Sequence, residues 1–378
     1  MTADILLDAR GLSGRSGVRG IGTYARGLVE GLCAVGAGPR LVLLRRPGDP
    51  LPADLAEEGV RAGPEVMVTK RRLQPLVDPL LVSRAVRRAA PALYHGLEWG
   101  QPALPGGVPV VTTVHDLIPW LRGSHYRWQR RERVWAIGLL RRADAVITPS
   151  RSAAAEVVAV AGVKEARVHV IPHGVDRRFR PVDEATSRAV LTRLGVPGSY
   201  VLAVGTQEPR KRLDVAVAAV RALRDGGHPV CLVVAGEQGA YAAAAAAALA
   251  PLGAGARLLG HVALDDLVAL YTAAEALLFT SDHEGFGLPL VEAMACGCPV
   301  VAVEAIATGE AAGGAALLAR PGDGAALVRH LERVLDDPGL RGAQVHAGTA
   351  RAAALTWERS AAAHLALYDA TLAGTLRR

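Results

Sequence analysis

The chain has 378 residues, 51% of them hydrophobic and 21% charged, which fits a globular enzyme and is longer than a single hydrophobic core usually supports, so two domains are expected. Its 43 basic and 36 acidic residues leave a modest net charge of +7, and with no nucleic-acid motif beside it this charge argues against a nucleic-acid partner. Cys33, Cys231, Cys296 and Cys298 lie in apolar surroundings without CxxC pairs or His partners at zinc spacing, which argues against a disulfide framework or a structural metal.

The N-terminus runs from Met1-Thr-Ala-Asp4 straight into Ile5-Leu-Leu-Asp8, with no charged n-region and no membrane-length apolar run, so a cytoplasmic protein is expected. Leu41–Leu44, Leu93–His95, Val110–Val114, Ala145–Thr148 and Val168–Ile171 follow as short apolar runs separated by helical patterns. That alternation predicts a parallel sheet covered by helices. After Val110–Val114, the segment from Arg122 to Arg151 carries eight arginines against Glu132 and Asp144, interleaved with His125, Tyr126, Trp128 and Trp135. Such a face suits an acidic acceptor or an anionic membrane surface, and equally a solvated basic helix with a packed aromatic stripe. Pro172–Pro181, rich in Pro, Gly and charge, reads as the linker. A second series follows at Tyr200–Val204, Val230–Ala235, Arg257–Leu259, Ala276–Thr280 and Pro299–Ala302, with a helix expected over the Ala242–Ala248 run.

The most informative stretch is Ser281-Asp-His-Glu284-Gly-Phe-Gly287-Leu-Pro-Leu-Val-Glu292-Ala-Met-Ala-Cys-Gly297. An apolar run ends at Thr280, Gly285 and Gly287 break it, Pro289 suits a first helical turn and Gly297 suits the stop. A strand, Gly turn and helix start aim free N–H groups at an anion, and a phosphate is the natural guest. Taken singly, Glu292 reads equally as a charge that complements the helix dipole, and Glu284 as a solvated loop residue. Gly205-Thr206-Gln-Glu-Pro-Arg210-Lys211 follows the first strand of the second series, where a fork and a point charge suit a pyrophosphate. His115-Asp116 ends the Val110–Val114 run at the carboxyl edge of a sheet, where ligands collect.

Two glutamates with seven residues between them, Gly-Phe-Gly among these, and Glu-Ala-Met-Ala-x-Gly-x-Pro-Val-Val running on from the second, resemble the donor-site signature of family 4 retaining glycosyltransferases. Asp8-Ala-Arg, Gly20-Ile21-Gly22, His115-Asp116, Ile171–Asp176, Gly205–Lys211 and Trp357-Glu-Arg-Ser360 extend the resemblance over nearly the whole chain, in forms most similar to bacterial mannosyltransferases. It implies the α/β GT-B fold: two Rossmann-like domains facing across a cleft, residues 1–176 and 177–358, with residues 359–378 forming a helix that crosses back to the first.

The resemblance also implies residue roles. Lys211 and Arg210 hold the donor diphosphate and stabilise the leaving charge; Thr206 stands where several relatives carry Arg, which places more of that work on Arg210. The Gly20-Ile21-Gly22 loop closes on the phosphates, and Gly205, Thr206, Gly285, Phe286, Gly287 and Leu288 line the donor. Glu284 contacts the donor sugar, Glu292 the ribose side, and His115 the transferred sugar near its reacting carbon. Asp116, Tyr126 and Trp128 are assigned to the acceptor. No Asp-x-Asp ends a strand, so metal-independent transfer with a nucleoside diphosphate sugar as co-substrate and no cofactor is expected. The acceptor class stays open among a glycan, a lipid head group and a small natural product, with peripheral membrane contact open as well. A sugar-nucleotide epimerase of the same fold and a non-catalytic sugar-binding protein are the alternatives.

Overall fold

The computed structural model describes residues 4–13, 20–67, 74–98, 101–121, 137–196, 198–237 and 241–374. The chain divides into two compact units, residues 1–174 together with 355–378, and residues 175–354. In the first, β1 (Ile5–Asp8), β2 (Leu41–Arg45), β3 (Arg61–Glu65), β4 (Leu93–Gly96), β5 (Val110–Thr113), β6 (Ala145–Thr148) and β7 (Val168–Val170) form one sheet. All pairs are parallel, in the order β3-β2-β1-β4-β5-β6-β7. The second unit carries β8 (Tyr200–Val204), β9 (Cys231–Ala235), β10 (Ala256–Gly260), β11 (Ala276–Phe279), β12 (Val300–Val303) and β13 (Leu317–Ala319), parallel in the order β10-β9-β8-β11-β12-β13. The helices that pack on these sheets include α1 (Gly20–Ala34), α2 (Leu213–Asp225), α3 (Leu264–Ala273), α4 (Leu288–Ala295) and α5 (Trp357–Leu372). No described helix is long and apolar enough to cross a membrane.

The apolar runs became strands because helices cover both faces of each sheet: β1, β4, β5, β6, β11 and β12 are buried at every residue. Two strands escaped the sequence reading. β3, Arg-Ala-Gly-Pro-Glu, is largely exposed and has no apolar run; it is an edge strand, where the missing N–H of Pro64 is tolerated. β13 has three residues and closes the opposite edge of the second sheet.

In each sheet the strand order reverses between the central pair, β1/β4 in the first and β8/β11 in the second. Loops leaving the carboxyl ends of such a pair diverge to opposite faces and open a crevice, the usual ligand position of parallel α/β sheets. In the second unit those loops are Gly205–Lys211 and Thr280–Gly287.

The first unit is completed by α5, which packs on α1. Thr356 caps α5 by accepting from the Arg359 N–H at 3.2 Å, and Trp357, Ala361, Leu367 and Tyr368 join Tyr24, Leu28 and Leu32 in one core. The approach is close enough to require glycine: a Cβ on Gly27 would lie 2.1 Å from Cε2 of Trp357, and one on Gly31 2.5 Å from its carbonyl oxygen. Gly27→Ala is therefore expected to destabilise the first unit by about 1–3 kcal/mol, the usual penalty of overpacking. Gly138→Ala, in the same unit, is the control, because its methyl meets nothing within 4 Å. All five tryptophans lie in the first unit, so denaturant titration followed by tryptophan fluorescence reads this unit, and equal midpoints for Gly27→Ala and the parent would refute the packing argument.

Candidate active site

At the β8/β11 crevice, Gly205 ends β8 with φ 138°. A Cβ there would lie 2.9 Å from Lys211 Cε, so glycine lets the lysine stem lie against the backbone. Pro209–Lys211 makes a single helical turn before α2. Two bonds tie this turn to the loop after β11: the Thr280 hydroxyl donates to the Lys211 carbonyl at 2.7 Å, and the Asp282 N–H to the Arg210 carbonyl at 2.9 Å.

Three side chains converge there. Lys211 Nζ donates to Oε1 of Glu284 at 2.6 Å, and Arg210 Nη1 donates to the same oxygen at 2.8 Å. Arg210 is held further by the His283 carbonyl at 3.1 Å and by Glu208 at 2.9 Å, and Lys211 Nζ lies 5.0 Å above the centre of the Phe279 ring. All three side chains are at most 15% exposed. Burial pushes the Glu284 carboxyl up, but Arg210 and Lys211 outweigh it and hold the group at about 2. Burial draws the Lys211 ammonium down, with Glu284 opposing. Glu284 is thus a buried anion seated on two cations, and any phosphate that took those cations would compete with it.

After Glu284 come Gly285, buried Phe286 and Gly287, whose φ of 106° starts α4. Leu288 and Pro289 form the first turn, and Glu292 is 8% exposed one turn further on. Its Oε2 accepts from the hydroxyl of Tyr271 at 3.1 Å. Burial, and after it Asp176, push its carboxyl up to about 7 against the Tyr271 hydrogen bond and Lys211. The signature's two glutamates therefore have opposite electrostatics, one held ionised and one poised near neutrality. Thr206 lies in the turn after β8, where its carbonyl accepts from the Glu208 N–H at 2.7 Å.

The remaining site residues lie in the first unit. Gly20, Ile21 and Gly22 form the first turn of α1, which corrects the expectation of a loop: the helical pattern through Tyr24, Leu28 and Leu32 extends back across both glycines. His115 follows β5, its Nε2 3.0 Å from the Leu97 carbonyl. A carbonyl accepts, so Nε2 carries the hydrogen and Nδ1 presents its lone pair to His173 Nε2, 3.4 Å away. Asp116 accepts from the Ile118 N–H at 3.1 Å and so shapes the start of the next turn. Tyr126, Trp128 and most of the basic segment around them lie outside the described residues.

Sequence reasoning passed over the surroundings of His115. The Tyr24 ring meets it edge-on at 4.6 Å, and His173 stacks on Trp357 at 5.9 Å. Behind them runs a buried chain: the His364 Nδ1–H donates to the Ser360 carbonyl at 2.7 Å, leaving Nε2 to accept from Tyr24 at 3.1 Å. Tyr24 in turn accepts from Thr113 at 2.8 Å, Thr113 from His95 Nε2 at 2.8 Å, and His95 Nδ1 from Tyr368 at 2.6 Å. With one end fixed by a carbonyl, every donor finds an acceptor while both histidines stay neutral. His173 stood in the stretch read as linker; His95 and His364 stood in runs that only a known strand order brings together.

Two parallel α/β units, with cations and a carboxylate gathered at the central crevice of the second, define a protein of the GT-B architecture. The family description "Glycosyl transferases group 1" matches residues 194–351, and that of "Glycosyltransferase Family 4" residues 18–179. The chain is 30% identical over 292 residues to the O-antigen chain mannosyltransferase B of Escherichia coli, covering 75% of each. It is also 30% identical over 268 residues to the serotype-specific mannosyltransferase WbdA of Escherichia coli, 68% of this chain but 32% of the relative, so the chain spans about a third of that protein's length. A crystal structure of Anabaena HepE in complex with UDP and glucose superposes with a TM-score of 0.76 at 20% identity, covering 97% of this chain and 100% of the other. The chain belongs to the group 1 glycosyltransferases of family 4.

Proposed function

We propose that the chain transfers a sugar, mannose foremost, from a nucleoside diphosphate to an acceptor hydroxyl, with retention of configuration and without a metal ion. The observation that carries this reading is the Arg210–Lys211–Glu284 cluster at the β8/β11 crevice. Two buried cations there suit a diphosphate, and their preorganised charge would stabilise the phosphate as the sugar leaves. The names of the relatives at 30% identity support mannose, and hence GDP-mannose, as the donor.

In this reading the bond from the anomeric carbon to the diphosphate oxygen breaks and one to the acceptor oxygen forms on the same face. The acceptor proton passes to the departing phosphate oxygen, so no protein nucleophile is needed. Glu284 exchanges its cations for the sugar hydroxyls, Glu292 faces the ribose side, and His115 lies near the reacting carbon. Asp116 holds the loop beside it, and Gly20, Ile21 and Gly22 offer the start of a helix to the phosphates.

A thermal-shift panel of GDP-mannose, GDP, UDP-glucose and UDP tests the donor, since a ligand stabilises the fold by mass action. The largest shift is expected with GDP-mannose, together with turnover of that donor that persists in EDTA and an α-linked product by NMR. A β-linked product sinks the same-face step. Conversion of the sugar nucleotide to its epimer without acceptor would establish the epimerase instead, and saturable binding without turnover a sugar-binding protein.

A further inference from the structure

Tyr271, on α3, is fully buried. Its ring packs edge-on against Phe179, with centroids 6.0 Å apart at 67°, and its hydroxyl ends on Oε2 of Glu292. Among the described residues this is the one hydrogen bond made to that carboxylate side chain. Glu292 sits in a helix whose buried neighbours Leu290, Val291, Ala293 and Met294 are apolar, so little else favours its ionised form.

We propose that Tyr271 is a positioning residue for nucleotide recognition: its hydroxyl favours the carboxylate form of Glu292 and fixes Oε2, leaving Oε1 to accept from the ribose hydroxyls of a nucleoside diphosphate. The inference rests on the reading of Glu292 as the ribose-side contact. A carboxylate accepts two hydroxyl hydrogen bonds and a neutral carboxyl accepts them poorly, so ribose affinity follows the ionisation of Glu292. Four influences act on that ionisation. Burial pushes the group up, the Tyr271 hydrogen bond draws it down, Asp176 pushes it up, and Lys211 draws it down. Cys296 and Cys298 lie near Tyr271, whose own hydroxyl is pushed well above its ordinary value by burial and by Glu292, so it stays a donor at every working pH. Removing that hydroxyl deletes the nearest influence that favours the carboxylate.

The test compares the parent, Tyr271→Phe and Glu292→Gln by calorimetric titration with GDP and 2′,3′-dideoxy-GDP, and with the corresponding UDP pair, from pH 6 to pH 9. Tyr271→Phe keeps the ring on Phe179 and loses a single oxygen. It is expected to bind the ribonucleotide about fivefold to tenfold more weakly at pH 7, to recover by pH 9, and to bind the dideoxy nucleotide like the parent. Its affinity midpoint should move to higher pH. An unmoved pH profile, or equal losses for ribose and dideoxyribose ligands, overturns the role of Tyr271 while leaving Glu292 in place. A Glu292→Gln protein that still prefers ribose to dideoxyribose as strongly as the parent overturns the ribose-side reading itself, and the inference with it.

Discussion

Lys211→Ala should lower kcat/KM for sugar transfer by about a hundredfold to a thousandfold, on the order of 3–4 kcal/mol, the usual loss when one preorganised charge-stabilising donor is removed. Arg210 keeps a fork near the diphosphate, so nucleotide binding should fall less than turnover. Glu284→Gln separates the two effects more sharply. Its carboxylate occupies both cations, at 2.6 and 2.8 Å, so a diphosphate must displace it. Neutralising it should tighten GDP or UDP binding while transfer falls, because the sugar loses its anionic partner. Steady-state kinetics with calorimetric titration of the free diphosphate would check both. Weaker diphosphate binding by Glu284→Gln would refute competition for the cations, and full transfer by Lys211→Ala would refute its role.

The first unit should lose stability steeply as pH falls from 6.5 towards 5. Burial draws His364 down to about 4, against the Ser360 hydrogen bond, and draws His95 and His173 well below their ordinary value and His115 below it. For each, the unfolded chain takes up its proton first as pH falls. The stabilising contribution is therefore full above about 6.5 and is lost as pH falls towards the folded value. Each such histidine removes about 1.4 kcal/mol per pH unit in that window, and His364 alone on the order of 3 kcal/mol by pH 4. Glu292, in the other unit, has the opposite sign: its folded value is raised, so its contribution is lost as pH rises through about 7.

Geometry gives the histidine effect its sharpness. A second proton on His364 would set Nε2–H against the Tyr24 hydroxyl and force the Thr113 and His95 bonds to reverse. Denaturant midpoints read by tryptophan fluorescence from pH 8 to pH 5 should show the fall, with a shallower slope in His364→Asn. A flat profile from pH 7 to pH 5 would refute the account.

Local signals carried much of the fold. Ile5–Asp8 and Ala276–Phe279 are apolar runs of strand length because they are buried on both faces, and Arg61–Glu65 was illegible because an exposed edge needs no such run. At the site, the Gly-Phe-Gly turn, Pro289 and the two glutamates were visible as a pattern. The pairing of Glu284 with Lys211, 73 residues apart in sequence, was not. It depends on β8 and β11 being neighbours, and strand order leaves no mark in either segment. Tyr271 was hidden for the same reason: in an apolar helix its hydroxyl reads as core until the helix that carries Glu292 is packed against it.

The α1–α5 seat has a consequence for synthesis. The second unit is one continuous stretch, 175–354, whereas the first recovers Trp357, His364 and Tyr368 from residues made afterwards. On the ribosome, where domains generally fold as they emerge, the order is inverted here. The unit translated first waits with the glycine-lined groove of α1 open, Tyr24 without His364 and His95 without Tyr368, until the unit translated second has been completed.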